Sequence, residues 1–192
     1  MVIGVTGVIG SGKSLVGKLL KGRGFVVIEA DELAREVVRP GTPALAEVVK
    51  SFGAGMLAPD GTLNRRQLGE VVFKDPVKRK ALEAILHPAI RKLWLEKLDS
   101  HKESNVAYIV PLLFESGEKY PELDKKILVA ADRKVCLARI MARDSLSEAE
   151  AVARLDAQMS IEQKIPLSDF IIWNDGSEED AAKQLDTVIS AF

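Results

Sequence analysis

Short apolar runs alternate with longer stretches whose apolar residues recur at helical spacing. Met1–Thr6 is apolar and leads into a glycine-rich loop; in Ser14–Lys21, Leu15, Val16, Leu19 and Leu20 fall on one helical face before Gly22 and Gly24 stop it. Phe25–Ile28, Val106–Val110, Ile127–Ala131 and Phe170–Trp173 are again short, branched and apolar on both faces, which predicts buried strands. With helical stretches between most of them, the pattern predicts an α/β fold: a five-stranded parallel sheet, right-handed crossovers and flanking helices.

Two connections are too long for simple crossovers. About 75 residues separate the second and third strands, and Pro40, Gly41, Pro43, Gly53, Gly55, Pro59, Gly61, Pro76 and Pro88 predict several short helices there, with Pro88 interrupting the pattern. After the fourth strand, Arg133–Arg143 and Ser147–Met159 read as charged helices joined by Asp144–Leu146, with Ser147 and Glu150 spaced as a capping box. The expected layout is one domain over 1–192, with a core of about 1–33, 104–132 and 160–192, a helical insertion over 34–103 and a hairpin over 133–159. Two projections over one sheet edge suggest two substrates.

Composition narrows the class. The 192 residues carry 27 Lys plus Arg against 28 Asp plus Glu, a net charge of −1, which argues against a general nucleic-acid binder. Hydrophobic residues make up 47% and aromatics 5%, so the core is aliphatic. No apolar run approaches the roughly 20 residues of a membrane helix. The single cysteine, Cys136, allows no internal disulfide, and no signal-peptide pattern precedes the first strand; a cytoplasmic location is expected. No obligate protein partner is evident.

Gly7-Val8-Ile9-Gly10-Ser11-Gly12-Lys13-Ser14 satisfies G-x-x-x-x-G-K-[ST] between a predicted strand and a predicted helix. Such a loop turns successive N–H groups inward at the positive end of the helix, a nest for phosphate oxygens. Gly7, Gly10, Ser11, Gly12, Lys13, Ser14 and Leu15 are the expected ATP-binding residues, Lys13 bridging the β- and γ-phosphates and the Ser14 hydroxyl ligating Mg²⁺. No tightly bound organic cofactor is expected. The loop alone leaves a regulatory GTPase or motor ATPase open beside a small-molecule kinase. Val106–Val110 runs into Pro111 without a Walker-B acid, and no N-K-x-D signature follows.

A kinase needs an acid for the acceptor hydroxyl, cations from a lid and an acceptor pocket. Asp31 follows the second strand, where it is expected both to accept a hydroxyl proton and to N-cap a helix over Glu32–Val38. Arg139 and Arg143, four apart, share a helical face suited to a transferring phosphoryl group; a solvated basic face paired with Glu148 and Glu150 is the competing role. Pro111, Leu112, Leu113, Phe114 and Glu115 are expected to line the cleft beside the loop, with core packing as the competing role, while Trp94, Trp173 and Cys136 are assigned to packing.

In this order, several stretches resemble the dephospho-CoA kinase family over almost the full length. They are Thr6–Ser14, Asp31–Arg35, Asp60–Leu68 with Val72-Phe73, Leu82-Glu83, Ile85–Pro88, Val110–Gly117, Arg143-Asp144, Arg154 with Gln158, and Asp169–Asn174. The resemblance implies a P-loop, nucleoside-monophosphate-kinase-like core with a CoA-binding helical insertion and a helical lid. It implies phosphorylation of the ribose 3′-hydroxyl of dephospho-CoA by ATP with Mg²⁺, ATP and dephospho-CoA being the partners. It also implies Asp31 as catalytic base, with Lys13, Arg139 and Arg143 catalytic, and Thr6, Arg65, His87, Pro111, Leu112 and Leu113 on the acceptor. Departures are Val8 and Leu15 in the loop, Asn64 at a commonly acidic position and Ser145 at a common glycine. A nucleoside or nucleotide kinase of the same core and a slowly hydrolysing nucleotide-gated binding protein remain as alternatives.

Overall fold

The computed structural model describes residues 1–192. In chain order the elements are β1 (Val2–Thr6), α1 (Lys13–Gly22), β2 (Val26–Glu29), α2 (Ala30–Glu36), α3 (Pro43–Phe52), α4 (Arg65–Lys74), α5 (Pro76–Ser100), β3 (Val106–Ile109), β4 (Lys125–Ala130), α6 (Arg133–Asp144), α7 (Glu148–Asp156), α8 (Ile161–Lys164), β5 (Phe170–Trp173) and α9 (Glu178–Ser190). They form two units: Met1–Glu29 with Glu103–Phe192, and Ala30–Lys102.

The first unit holds the sheet, ordered β2-β3-β1-β4-β5 and parallel throughout. β1 is central, with Val5 opposite Ile109 on one side and Ile127 on the other. An inner parallel strand has both faces covered, which is why Ile3, Val5, Ala107, Ile127 and Val129 are buried without polar alternation. α1 and α9 add Val16, Leu20, Leu185 and Val188 to the same cluster. Trp94 and Cys136 are fully buried as expected, but Trp173, assigned to packing, ends β5 with 45% of its surface exposed.

After β4, α6 and α7 form the hairpin. Val8 of the glycine loop packs with Ala131, Cys136, Ile140, Ala151 and Leu155, so the hairpin is seated on the loop through an apolar contact. α6 ends at Ser145, whose φ of 53° puts a side chain in the left-handed region usually left to glycine. The Ser147–Glu150 capping box starts α7 as the spacing predicts.

The second unit is helical. Its longest helix corrects the expectation of several short ones: α5 runs 25 residues straight through Pro88. Proline has no N–H, so the Ala84 carbonyl loses its helical partner. The helix persists because Leu86, Ala89, Ile90 and Leu93 on both sides of Pro88 pack with Val37, Val38 and Leu45, and tertiary burial outweighs one missing bond. α2 is a second correction. It begins at Ala30 directly after β2, so Asp31 lies inside the first turn, at the positive end of the dipole, instead of capping the helix.

Candidate active site

In an open parallel sheet, ligands bind beyond the carboxyl ends of the strands, and in the first unit the glycine loop leaves β1 at that edge. Side chains cap seven helices there and elsewhere: Thr42, Asn64, Asp75, Asp132, Ser147, Ser160 and Ser177 at α3 to α9. α1 instead starts on Gly12, which is left-handed at φ 97° and offers no side-chain cap. Its leading N–H groups therefore keep their capacity for an anion. A β-carbon on Gly12 would collide with the Asn174 amide, so glycine is required here by backbone conformation and by space.

Four groups organise this loop. The Lys13 ammonium donates to the carbonyls of Gly7 at 2.8 Å and Val8 at 3.0 Å, folding over the nest. Asn174, at the end of β5 and 3% exposed, donates its amide to the Ser11 carbonyl at 2.8 Å. Arg139 from α6 spans both partners, donating to the Gly10 carbonyl at 3.3 Å and the Asn174 carbonyl at 2.9 Å. Gln158, just beyond α7, accepts the Ile9 N–H at 2.8 Å. Ser11 is buried, and its hydroxyl has no hydrogen-bond partner.

Other predicted residues separate by environment. Ser14 presents an exposed hydroxyl in the first turn of α1, whereas Leu15 packs against the sheet core. The Thr6 hydroxyl donates to the Pro111 carbonyl at 3.2 Å, joining the ends of β1 and β3. In the turn that follows, Leu112 is 44% exposed while Leu113 is buried. Cys136 is inert packing, since burial pushes its thiol pKa up.

The two arginines sharing a face of α6 do not share a partner. Arg143 donates Nε and Nη2 to Asp144 at 2.8 and 2.9 Å, and Arg154 reaches the same carboxylate at 2.9 Å. The Arg143 hydrogen bond holds the Asp144 carboxyl below its ordinary value. The basic face is thus partly neutralised, though by Asp144 instead of Glu148 and Glu150; Glu150 is occupied with Ser147.

In the second unit Asp31 is exposed at the start of α2, and His87 lies mid-way along α5. Asn64 caps α4, accepting from the Gln67 N–H at 3.1 Å, so the departure from an acidic residue keeps the cap. Arg65, next in the chain, is exposed on the rim of an apolar cavity of about 170 Å³ lined by Val38, Leu63, Leu68, Val72 and Leu86.

The family model for dephospho-CoA kinase (CoaE) matches residues 1–180. The chain belongs to the dephospho-CoA kinase family. A dephospho-CoA kinase of Anaeromyxobacter dehalogenans is 45% identical over 98% of this chain and 90% of its own. One from Geobacter sulfurreducens is 44% identical over 97% and 96%. A solved dephospho-CoA kinase from Campylobacter jejuni has a TM-score of 0.73 at 35% identity, covering 98% of this chain and 95% of its own. For this member of the dephospho-CoA kinase family, sequence reasoning assigned no role to Asn174, although it lies in a stretch that carried the resemblance, and it reached Gln158 only through its four-residue spacing from Arg154, which repeats that of Arg139 and Arg143. It missed Lys164 entirely. A lysine beside Ile165-Pro166 reads as solvent-facing, and no local pattern announces that its side chain is buried.

Proposed function

We propose that the protein transfers the γ-phosphoryl group of ATP to the ribose 3′-hydroxyl of dephospho-CoA, giving CoA and ADP, the final step of coenzyme A biosynthesis. The observation that carries this reading is the uncapped start of α1 at Gly12 with Lys13 folded over the loop, in a chain matched to the family over residues 1–180. A Walker-type loop binds the triphosphate; family membership points to the acceptor.

Lys13 and Arg139 are the cations for the transferring group. Lys13 gives up its loop carbonyls for phosphate oxygens, and Arg139 is already docked on Gly10. Arg143 contributes only after leaving Asp144. Asp31 accepts or orients the acceptor hydroxyl proton. Arg65 beside its apolar cavity suits an acceptor with a pyrophosphate and an apolar arm, a planar fork meeting the phosphates. Thr6, His87, Pro111 and Leu112 complete the acceptor set; Leu113 supports it from the core.

The residues present fit Mg²⁺ arriving with the nucleotide. Ser14 offers one free hydroxyl at the helix start, and no group of three or more His, Cys, Asp or Glu side chains forms a cage, so phosphates and water supply the other ligands. The ion screens charge on the phosphate oxygens. No helix is long and apolar enough to cross a membrane, and a buried free thiol suits the reducing cytoplasm.

The test is coupled detection of ADP with and without dephospho-CoA. ADP release dependent on dephospho-CoA, with the product phosphorylated at the 3′ position, is expected. Equal acceleration by nucleosides or nucleotides would make this a nucleotide kinase, and acceptor-independent ADP would make it a hydrolase.

A further inference from the structure

Burying an ammonium costs far more than one hydrogen bond returns, so a fully buried lysine needs a charged partner held close by. The Lys164 side chain is 0% exposed, with Nζ 2.6 Å from Glu115 Oε1, 3.5 Å from the Pro111 carbonyl and 5.9 Å from the centre of the Phe114 ring. The same Glu115 oxygen accepts the Met159 N–H at 3.2 Å. Met159 follows Gln158, whose side chain accepts the Ile9 N–H inside the phosphate loop at 2.8 Å. The chain leaving the α6–α7 hairpin is therefore pinned at consecutive residues, one to the turn after β3 and one to the loop.

We infer that Gln158 is a positioning residue for ATP binding, that it holds the Gly7–Gly10 half of the phosphate loop in its nucleotide-ready conformation through Ile9, and that the buried Lys164–Glu115 pair holds Gln158 in place. The inference rests on reading Gly7–Ser14 as the triphosphate site. Its physical basis is preorganisation. Without an acceptor the Ile9 peptide is free to rotate, only a fraction of molecules presents the closed nest, and apparent affinity falls by that fraction. Gln158 is partly exposed, so changing it leaves the core untouched.

The test uses the full chain and titration calorimetry with a non-hydrolysable ATP analogue, beside steady-state kinetics and amide exchange at Ile9. Gln158→Leu is expected to bind the analogue roughly tenfold more weakly, the drop that follows when about one molecule in ten presents the closed nest. It should raise KM for ATP but not KM for dephospho-CoA, and speed exchange at Ile9 with the melting temperature unchanged. The double variant Glu115→Leu/Lys164→Met, which removes both charges together, should show the same ATP-selective defect. Parental or tighter analogue binding by Gln158→Leu overturns the inference, as does an equal rise in both KM values. A folded double variant with parental analogue affinity overturns the role given to the pair; if that variant does not fold, Gln158→Leu alone decides. Lys13→Ala, run alongside, separates this from the underlying reading. If Lys13→Ala also binds the analogue normally, the phosphate-loop assignment falls and takes the inference with it, whereas a defect in Lys13→Ala alone overturns only the role of Gln158.

Discussion

Asn174 donates its side-chain amide to the Ser11 carbonyl at 2.8 Å, a buried hydrogen bond across 163 positions of sequence. It ties the end of the edge strand β5 to the loop following the central strand β1. Asn174→Ala leaves a buried carbonyl without a donor and should cost about 1–3 kcal/mol of stability in urea unfolding. KM for ATP should rise with it, because Arg139 reaches the loop over the same residue. Unchanged stability would mean that Ser11 finds another donor.

Arg139 and Arg143 are expected to diverge. Arg139 already contacts the loop, so Arg139→Ala should lower kcat by about 10²–10³-fold, the range for removing one donor that meets developing charge. Arg143 must first leave Asp144, and Arg143→Ala should cost less. Single-turnover rates of both variants decide the order; a larger loss at Arg143 would reverse it.

Asp31 separates chemistry from folding, since it does not cap α2. Asp31→Asn should reduce turnover by about 10²-fold or more as a general base is lost. The unfolding free energy should fall by no more than about 1 kcal/mol, the scale of one charge near a helix end. A turnover loss tracking a lowered melting temperature would assign Asp31 to structure.

Ser145 pays for a left-handed backbone with a side chain present, at φ 53°. Ser145→Gly removes that cost, partly offset by the greater freedom of glycine when unfolded, for a net gain of roughly 0.5–1 kcal/mol. Chemical denaturation measures it directly. No gain would mean that the serine is not strained.

Acid should loosen the α6–α7 hairpin. Hydrogen bonds from Arg143 and Ser147 hold Asp144 and Glu150 below their ordinary values. A lowered folded-state pKa contributes stability above the unfolded value and loses it as pH falls through the folded one, so the loss runs from about pH 5 downward. Both groups are near the surface and each effect is small. Melting temperatures from pH 6 to 3 should fall less steeply for Asp144→Asn/Glu150→Gln than for the parent; equal slopes would locate the acid sensitivity elsewhere.

Local patterns proved readable wherever a local cause acts. The apolar runs marked all five strands because a buried parallel strand needs apolar residues on both faces, and the Ser147–Glu150 spacing marked a helix start because a capping box closes within one turn. The loop Gly7–Ser14 was legible for the same reason: the phosphate nest proposed for it is built from consecutive backbone groups. Tertiary structure alone decided the rest. Pro88 stays inside a helix because side chains distant in sequence bury both flanks. Arg139 parts from Arg143 because folding brings it the Gly10 carbonyl, 129 positions away, while Arg143 closes on the adjacent Asp144. Lys164 is hidden because Glu115, 49 positions away, makes burial tolerable. Pro88, Arg139 and Lys164 each depend on a partner that folding brings from elsewhere in the chain, and no short window of sequence contains both members of such a pair.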